Sequence, residues 1–315
     1  MRIFDKRVKT YKFDATRTFD FKRFADKAGD FWLIEGFLDF RGLLDIKGDK
    51  IVHLEFEAPN RFFTDNRDFR HEIYEDLLYK VFTICPYSVE WLNDKYKNDK
   101  RTFSFIPFNE NKIPRTFDKK YDIIYAGHIF TQYTSEIEKS VKEIAKFNYR
   151  LVAPADYPLT TDPNADYDLK IKLISESKIT LVHNLLFLRN EEIKNVRGTR
   201  GWKKNKAYAG IPRWSLKTMF KRHTAMVPQI KSRTFDAAFC KSLILCRKDE
   251  FNIIERFFTP GKEFIYYEPD KLEETIRHVL ADYDSYKPII ENAYQRAVKE
   301  YTTQVFFDRF LKNIK

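Results

Sequence analysis

Residues 231–240 read KSRTFDAAFC, and the apolar run SLILC at 242–246 follows them. A helix-forming stretch of small residues thus leads into a run typical of a buried strand. The same alternation of strand and helix recurs on both sides, from a predicted strand at 121–126 to a predicted helix at 271–281. Strands that alternate with helices predict a parallel sheet covered on both faces.

The polar residues of this stretch suit a phosphate ligand. If Thr234 opens a helix, the free N–H groups of its first turn can hold a phosphate, with Lys231 and Arg233 beside them. Asp236 would then lie within reach of a sugar diol. We therefore expect donor-binding roles for these four residues and for Ser232. The alternative is an ordinary helix start, in which Ser232 or Thr234 is the cap and Asp236 favours the helix dipole.

A second series of alternating strands and helices precedes residues 109–120, which lack apolar periodicity and are interpreted as a linker. The predicted fold class is therefore α/β, with two doubly wound, Rossmann-like domains facing each other across a cleft. We expect an N-terminal acceptor-side domain at 1–118 and a C-terminal donor domain at 119–285. A terminal helix at 286–315 is expected to pack back across the cleft.

Composition narrows the functional class. A chain of 315 residues is long enough for two domains of ordinary size. Its three cysteines are far apart and form no CxxC pair, which disfavours a disulfide framework and a zinc site. Neither a signal-peptide pattern nor a run of ~20 apolar residues is present. We therefore expect a soluble, cytoplasmic protein.

Ligands of doubly wound sheets bind outside the carboxyl ends of the strands. The candidate residues at these predicted strand tips are Gly127, His128, His183, Asn184 and Tyr266. Gly127 would let the backbone pass close to a ligand, although an ordinary tight turn explains it about as well. His183 could bond a phosphate or base, or be a structural histidine. Asn184 could be a ligand contact or a turn residue.

Glu57 follows another predicted strand and precedes Pro59. A carboxylate at the mouth of a cleft is a candidate general base, which would take the proton of an attacking acceptor hydroxyl. The alternative is a carboxylate that faces solvent from an edge strand.

Several familiar motifs are missing or out of place. The chain has neither GxGxxG nor GxxxxGK[ST], so dinucleotide and P-loop chemistry lack their usual glycine loops. The DxD spacings at 166–168 and 282–284 fall in polar segments and are interpreted as incidental. No cluster with metal-ligand spacing stands out, so neither a metal nor a cofactor is expected.

Most of the net charge of +11 comes from residues 189–222, where 11 lysines and arginines face two glutamates. Basic residues interleaved with tryptophan could contact a phosphate-bearing acceptor or an anionic membrane, with peripheral attachment there. The candidate contacts are Arg200, Trp202, Lys203 and Lys204. The alternative is a solvated insertion. The rest of the chain is near neutral, so nucleic acid is not expected as a partner.

Residues 233–238, RTFDAA, resemble the Arg-x-Phe-Glu-Ala motif of the CgeB-like (spore maturation protein type) glycosyltransferases, a group-1-like family of GT-B fold. Residues 260–267 and 272–280 are similar to the strand and helix that follow this motif, and 121–127 to the first strand of the donor domain. The resemblance covers roughly 121–312.

This resemblance implies a donor nucleotide sugar held mainly by the C-terminal domain. Asp236 would bind the ribose hydroxyls. Arg233, with Lys231, would neutralise the diphosphate leaving group, a role that GT-B enzymes give to side chains rather than to a metal. The acceptor would be a glycan, a lipid-linked compound or a protein.

The chain departs from the family pattern at three places. Asp236 replaces the usual Glu, Lys241 lies near the position of an expected Gly, and Pro228 replaces the first Glu of a Glu-x7-Glu pattern. The last departure argues against retaining chemistry. Residues 57–60, EAPN, resemble the Glu-Ser-Pro turn of fucosyltransferases that share this fold, where the Glu is linked to inversion, so we expect Glu57 to act as the base of an inverting reaction.

The sequence therefore predicts a metal-independent glycosyltransferase that uses a nucleotide-diphosphate sugar. The alternative is a non-catalytic α/β protein that docks nucleic acid or an anionic membrane through residues 189–222.

Overall fold

The computed structural model describes residues 2–3, 20–35, 50–56, 75–127, 129, 135–188 and 225–314. These residues form two five-stranded parallel sheets and one two-stranded antiparallel hairpin.

The first sheet contains five parallel strands in sequential order. Its strands are β1 Arg2–Ile3, β2 Trp32–Glu35, β3 Ile51–Glu55, β4 Leu78–Thr83 and β5 Arg101–Phe103. Helix α1 (Pro86–Tyr96) connects β4 to β5. All five residues of the central strand β3 are buried, as a parallel strand covered on both faces requires.

The second sheet has the strand order β7-β6-β8-β11-β12, again all parallel. Its strands are β6 Tyr121–Ala126, β7 Tyr149–Val152, β8 Ser177–Val182, β11 Leu243–Arg247 and β12 Ile265–Tyr267. The helices that accompany it are α2 Ser135–Ile144, α3 Tyr167–Ser175, α4 Ser232–Phe239 and α5 Leu272–Ala281. The hairpin strands are β9 Leu185–Leu188 and β10 Ala225–Pro228, which leave the sheet after β8 and return before α4.

Strand β6 has the bounds that the sequence predicts. Ile123, Ile124, Tyr125 and Ala126 are all buried, because β6 lies between two other strands and is covered on both faces. The prediction of a buried strand is confirmed.

Helix α4 begins at Ser232, two residues earlier than predicted. Lys231 has an extended backbone, and no side chain caps the helix. The alternative that Ser232 or Thr234 is the cap is therefore wrong, because both residues lie inside the helix. At the other end Lys241 has φ 49°, and Lys241 and Ser242 donate their N–H groups to the carbonyls of Ala238 and Ala237. This is a Schellman ending, with a lysine where glycine is the usual residue.

The long terminal helix predicted from about Tyr286 to Lys312 is interrupted. The structure has α6 (Lys287–Glu300), α7 (Thr303–Phe306) and one π-helical turn (Phe307–Leu311).

The interruption has a long-range cause. The backbone N–H of Phe108 donates to Tyr301, and the carbonyl of Phe108 accepts from Thr303, both at 2.9 Å. Thr302 is extended between them, and its hydroxyl accepts a 3.2 Å bond from Val305 to start α7. Pairing with Phe108 therefore breaks the helix.

The last segment packs on the first sheet. The ring of Phe306 contacts the rings of Phe21, Phe56, Phe82 and Phe105 at centroid distances of 5.4 to 5.8 Å. The core of the first half therefore includes residues from the far end of the sequence.

None of the helices in the described parts of the chain has the length and apolar character needed to cross a bilayer.

Candidate active site

The strand order of the second sheet creates a crevice. The chain passes from β6 outward to β7 and then returns to β8 on the other side of β6. Such a reversal leaves an opening between the carboxyl ends of the two diverging strands, where ligands of these folds bind. Gly127 directly follows β6, and His183 and Asn184 directly follow β8.

The guanidinium of Arg233 lies at this crevice. Its Cζ is 4.5 Å from the centroid of the Tyr125 ring at the end of β6, a cation–π contact. A Cβ atom added to Gly127 would lie 2.7 Å from that Cζ and 2.9 Å from Nη1. Glycine is therefore the residue that leaves room for the guanidinium. The Nη1 atom is buried and has no hydrogen-bond partner among the described residues.

Lys231 lies two residues before Arg233, and its ammonium donates a short hydrogen bond to Oε1 of Gln229. Burial, together with the neighbouring charge of Arg233, lowers the pKa of Lys231 to about 7. Ser232 is the first residue of α4, at a helix start with no side-chain cap. The uncapped N–H groups and the two cations face a common end of the helix.

Asn184 holds this helix start in place. Its side-chain oxygen accepts bonds from the backbone N–H of Lys231 at 3.0 Å and from the hydroxyl of Thr234 at 3.1 Å. Asn184 and Thr234 are both completely or almost completely buried. These hydrogen bonds fix the loop before α4 and favour a structural role for both residues, so their ligand contacts stay predictions.

His183 is buried within the electrostatic influence of Arg233 and Arg247. Its Nε2 is 2.6 Å from the hydroxyl of Tyr267. Burial first, and then the charges of Arg233 and Arg247, lower the pKa of His183 to about 3. The imidazole is therefore neutral at physiological pH, and the positive charge of the crevice comes from the cations around it.

The prediction for Tyr266 is off by one residue. Tyr266 points to the other face of β12, where its hydroxyl donates to Oε1 of Glu255 at 3.0 Å. Side chains alternate along a strand, so the neighbouring Tyr267 is the tyrosine that reaches His183. The sequence also places Tyr267 at this strand tip, although the site prediction names Tyr266. Sequence reasoning missed Tyr125, which stands at the carboxyl end of a predicted strand.

Asp236 does not reach the crevice. It has no exposed surface, and its oxygens accept a 2.8 Å bond from Nζ of Lys170 and a 3.2 Å bond from the hydroxyl of Tyr167. Both partners belong to α3. This placement favours a structural role, in which the carboxylate fastens α4 to α3, and binding of ribose hydroxyls by Asp236 stays a prediction.

Other predicted site residues lie outside the described residues. They are Glu57, His128, Arg200, Trp202, Lys203 and Lys204. Among the residues that are described, no group of three or more His, Cys, Asp or Glu side chains is arranged to hold a metal ion.

A family model described as glycosyl transferase-like matches residues 136–312, more than half of the chain and including all of α4. The chain belongs to this glycosyl transferase-like family. No curated protein matches it in sequence.

Several solved structures share the two-sheet fold of this chain. A mutant of S. aureus TarM, in complex with Fondaparinux, alpha-GlcNAc-glycerol and UDP, is 9% identical with a TM-score of 0.55, over 92% of this chain and 57% of TarM. The pneumococcal O-GlcNAc transferase GtfA, in complex with UDP and GlcNAc, is 9% identical with a TM-score of 0.52, over 89% and 55%. Anabaena HepE with UDP-glucose is 9% identical with a TM-score of 0.55, over 88% and 76%.

These likenesses establish the fold class as GT-B, as the sequence predicts. The chain spans little more than half the length of TarM and GtfA.

Proposed function

We propose that this chain is a glycosyltransferase that moves a sugar from a nucleotide-diphosphate sugar to an acceptor hydroxyl. One observation carries the proposal: the Arg233 guanidinium lies at the crevice of the second sheet, with a buried Nη1 that has no hydrogen-bond partner in the described residues. A buried donor of this kind is costly unless a ligand satisfies it. A diphosphate oxygen is the acceptor that this position suits.

The chemistry follows from where charge develops. The acceptor oxygen attacks the anomeric carbon and loses its proton to a base, while the bond from that carbon to the diphosphate oxygen breaks. The electron pair leaves with the diphosphate, whose negative charge grows in the transition state. Arg233 and Lys231 stabilise that charge, assisted by the first N–H groups of α4.

The family and the fold support a nucleotide sugar as the donor. TarM, GtfA and HepE have each been solved with UDP or UDP-glucose. A uridine nucleotide is therefore our first candidate for the donor of this chain. Membership of a glycosyl transferase-like family also favours an enzyme over a non-catalytic binding protein.

The finer features remain part of the proposal. We place the chain in the CgeB-like subtype, with metal-independent, inverting chemistry and Glu57 as the base. The acceptor is a glycan or a lipid-linked compound.

The basic segment 189–222 is our candidate for acceptor or membrane contact. The hairpin that carries it is anchored by a 2.8 Å bond from the N–H of Gln229 to the carbonyl of Asn184, directly beside the crevice. Its positive charge would favour an anionic acceptor.

The first experiment compares UDP, GDP, CDP and dTDP by thermal shift. A diphosphate at 100 times its Kd stabilises the folded chain by about 2.7 kcal/mol, which raises the Tm by about 5 °C. Arg233→Ala should remove most of this rise and reduce turnover by roughly 100-fold or more, because a charge-stabilising donor is lost.

Arg150→Ala is the matched control. Arg150 also stacks on a tyrosine, with its Cζ 4.2 Å from the Tyr121 ring, but it lies near the carboxylate of Asp162. It should leave nucleotide binding unchanged. Equal binding by wild type and the folded Arg233→Ala variant would refute the role of Arg233, and no response to any of the four nucleotides would refute the proposed donor.

A further inference from the structure

Two cationic side chains lie at the crevice, and no carboxylate of the described residues pairs with either of them. Lys231 bonds to the neutral amide of Gln229, and Arg233 stacks on Tyr125. Among the described residues, no ion pair connects Lys231 or Arg233 to an acidic group. By contrast, the buried carboxylate of Asp236 is paired with Lys170, and that of Glu75 with Arg101.

Among the groups around this cluster, Lys231 is the one whose charge we expect to change near neutral pH. From β8, His183 contributes a neutral imidazole that bonds to Tyr267 of β12. From β11, Arg247 adds a further positive charge that acts on His183. Asp249 is turned into its own loop, where its Oδ1 accepts the N–H groups of Phe251 and Asn252.

We propose that Lys231 takes up a proton when the diphosphate of the donor binds, so that binding at this crevice is coupled to protonation. The inference rests on the proposed function, because it requires the crevice to hold a diphosphate. It assigns Lys231 a role separate from that of Arg233.

The physical reason is a change in the surroundings of one ammonium group. Burial and the charge of Arg233 lower the pKa of Lys231 to about 7, so above pH 7 much of it is neutral. A diphosphate brings negative charge next to the same nitrogen, which favours its protonated form and raises its pKa.

The coupling has a defined direction. Below pH 7 Lys231 is already charged, so ligand binding takes up few protons. Above pH 7 each mole of ligand takes up to one mole of protons, and the affinity falls up to tenfold per pH unit.

Calorimetry tests this directly. Nucleotide-diphosphate sugars are titrated at pH 8.0 in HEPES and in Tris, whose ionisation enthalpies differ, using UDP-glucose, GDP-glucose, CDP-glucose and dTDP-glucose as probes. Sugar esters are used because their diphosphate does not titrate in this range. The difference in observed enthalpy between the buffers gives the number of protons taken up, which we expect to exceed about 0.5 at pH 8.0 and to fall toward zero at pH 6.0.

Two variants separate charge from protonation. Lys231→Arg keeps a permanent cation and should bind the sugar nucleotide without proton uptake. Lys231→Met should bind at least about tenfold more weakly, also without uptake.

Lys119→Arg is the matched control, because Lys119 is another described lysine with a lowered pKa, about 8. Its ammonium donates to the carbonyls of Ser175 and Cys240 at the ends of α3 and α4. Proton uptake should be unchanged in this variant.

The outcomes are distinguishable. Binding of a sugar nucleotide by wild type with no proton uptake at pH 8.0 overturns the role of Lys231 and leaves the proposed function standing. Uptake that persists in Lys231→Arg and disappears in His183→Gln overturns it in favour of His183. Failure of all four probes to bind overturns the proposed function, and this inference with it.

Discussion

The two sides of α4 differ in whether their charged side chains are paired within the protein. On the crevice side, Arg233 lies against Gly127 and has a buried nitrogen without a hydrogen-bond partner in the described chain. One turn along, Asp236 is buried between Lys170 and Tyr167 with both oxygens occupied. The same short motif therefore contains a group left available for a ligand and a group used to fasten two helices.

The largest expected effect comes from removing the buried ion pair between Asp236 and Lys170. Asp236→Leu leaves the ammonium of Lys170 facing an apolar contact, and should lower the free energy of unfolding by about 3 kcal/mol or more. The double variant Asp236→Leu with Lys170→Met should recover most of that loss. Urea denaturation measures both. If the Asp236→Leu protein unfolds like wild type but does not bind nucleotide, Asp236 contacts the ligand instead of stabilising the fold.

A third kind of buried charge occurs in the first sheet, at Glu55, the last residue of β3. Burial raises the pKa of Glu55 to about 7, against a partly compensating effect of Arg101. Arg101 is already paired with Glu75. Because the folded-state pKa lies above the unfolded value of 4.5, the contribution of Glu55 to stability is greatest below pH 4.5 and falls by about 3 kcal/mol as the pH rises to 7.

Glu55→Gln should remove this dependence, so that the variant gains stability over wild type at pH 8 and differs little at pH 4.5. Denaturation curves at the two pH values measure it. Glu75→Gln is the control of opposite sign, because it breaks the buried pair with Arg101 and should destabilise at pH 8. A difference in stability between wild type and Glu55→Gln that stays the same at pH 4.5 and pH 8 would contradict the assigned state of Glu55.

A substitution at Gly127 tests whether the position of the Arg233 guanidinium matters for ligand binding. The added methyl of Gly127→Ala meets the flexible end of Arg233 rather than backbone, so the guanidinium must move while the fold is retained. We expect nucleotide affinity to fall roughly tenfold with little change in Tm. In a double-mutant cycle, Gly127→Ala should add almost nothing to Arg233→Ala. Additive losses would show that the two residues act independently.

The smallest effect concerns the end of α4. Lys241 is in the left-handed region, which costs a non-glycine residue about 1 kcal/mol, while its ammonium pairs with Glu291 and lies 4.3 Å from the Tyr294 ring. Lys241→Ala loses those contacts and keeps the strain, so it should be about 1 kcal/mol less stable than Lys241→Gly. Thermal unfolding of the two variants measures the cost of the left-handed backbone conformation at residue 241. Equal stabilities of the two variants would show that this conformation has no cost there.

Local pattern predicts the parts of the fold that local chemistry determines. Strand β6 was predicted to the residue because a run of buried apolar side chains fits only a central strand. The break after Glu300 was not predicted, since its cause is the backbone of Phe108, nearly 200 residues earlier. Periodicity within a helix contains no information about such a partner.

The site follows the same rule. Residue types alone placed Arg233 and Lys231 at the end of a helix and Gly127 at a strand tip. They did not reveal that Asp236 faces Lys170, 66 residues away, or that Asn184 binds the loop before α4. Adjacent tyrosines at 266 and 267 gave no indication of which one faces the crevice, because that depends on the phase of the strand.

The contact between Phe306 and the first sheet has a consequence for synthesis. Translation is vectorial, so the strands of the first sheet leave the ribosome long before residues 301–311. Until those residues emerge, the rings of Phe21, Phe56, Phe82 and Phe105 lack the side chain that packs among them. We therefore expect the nascent N-terminal half to expose an aromatic surface, and its final folding step to follow completion of the C-terminal half.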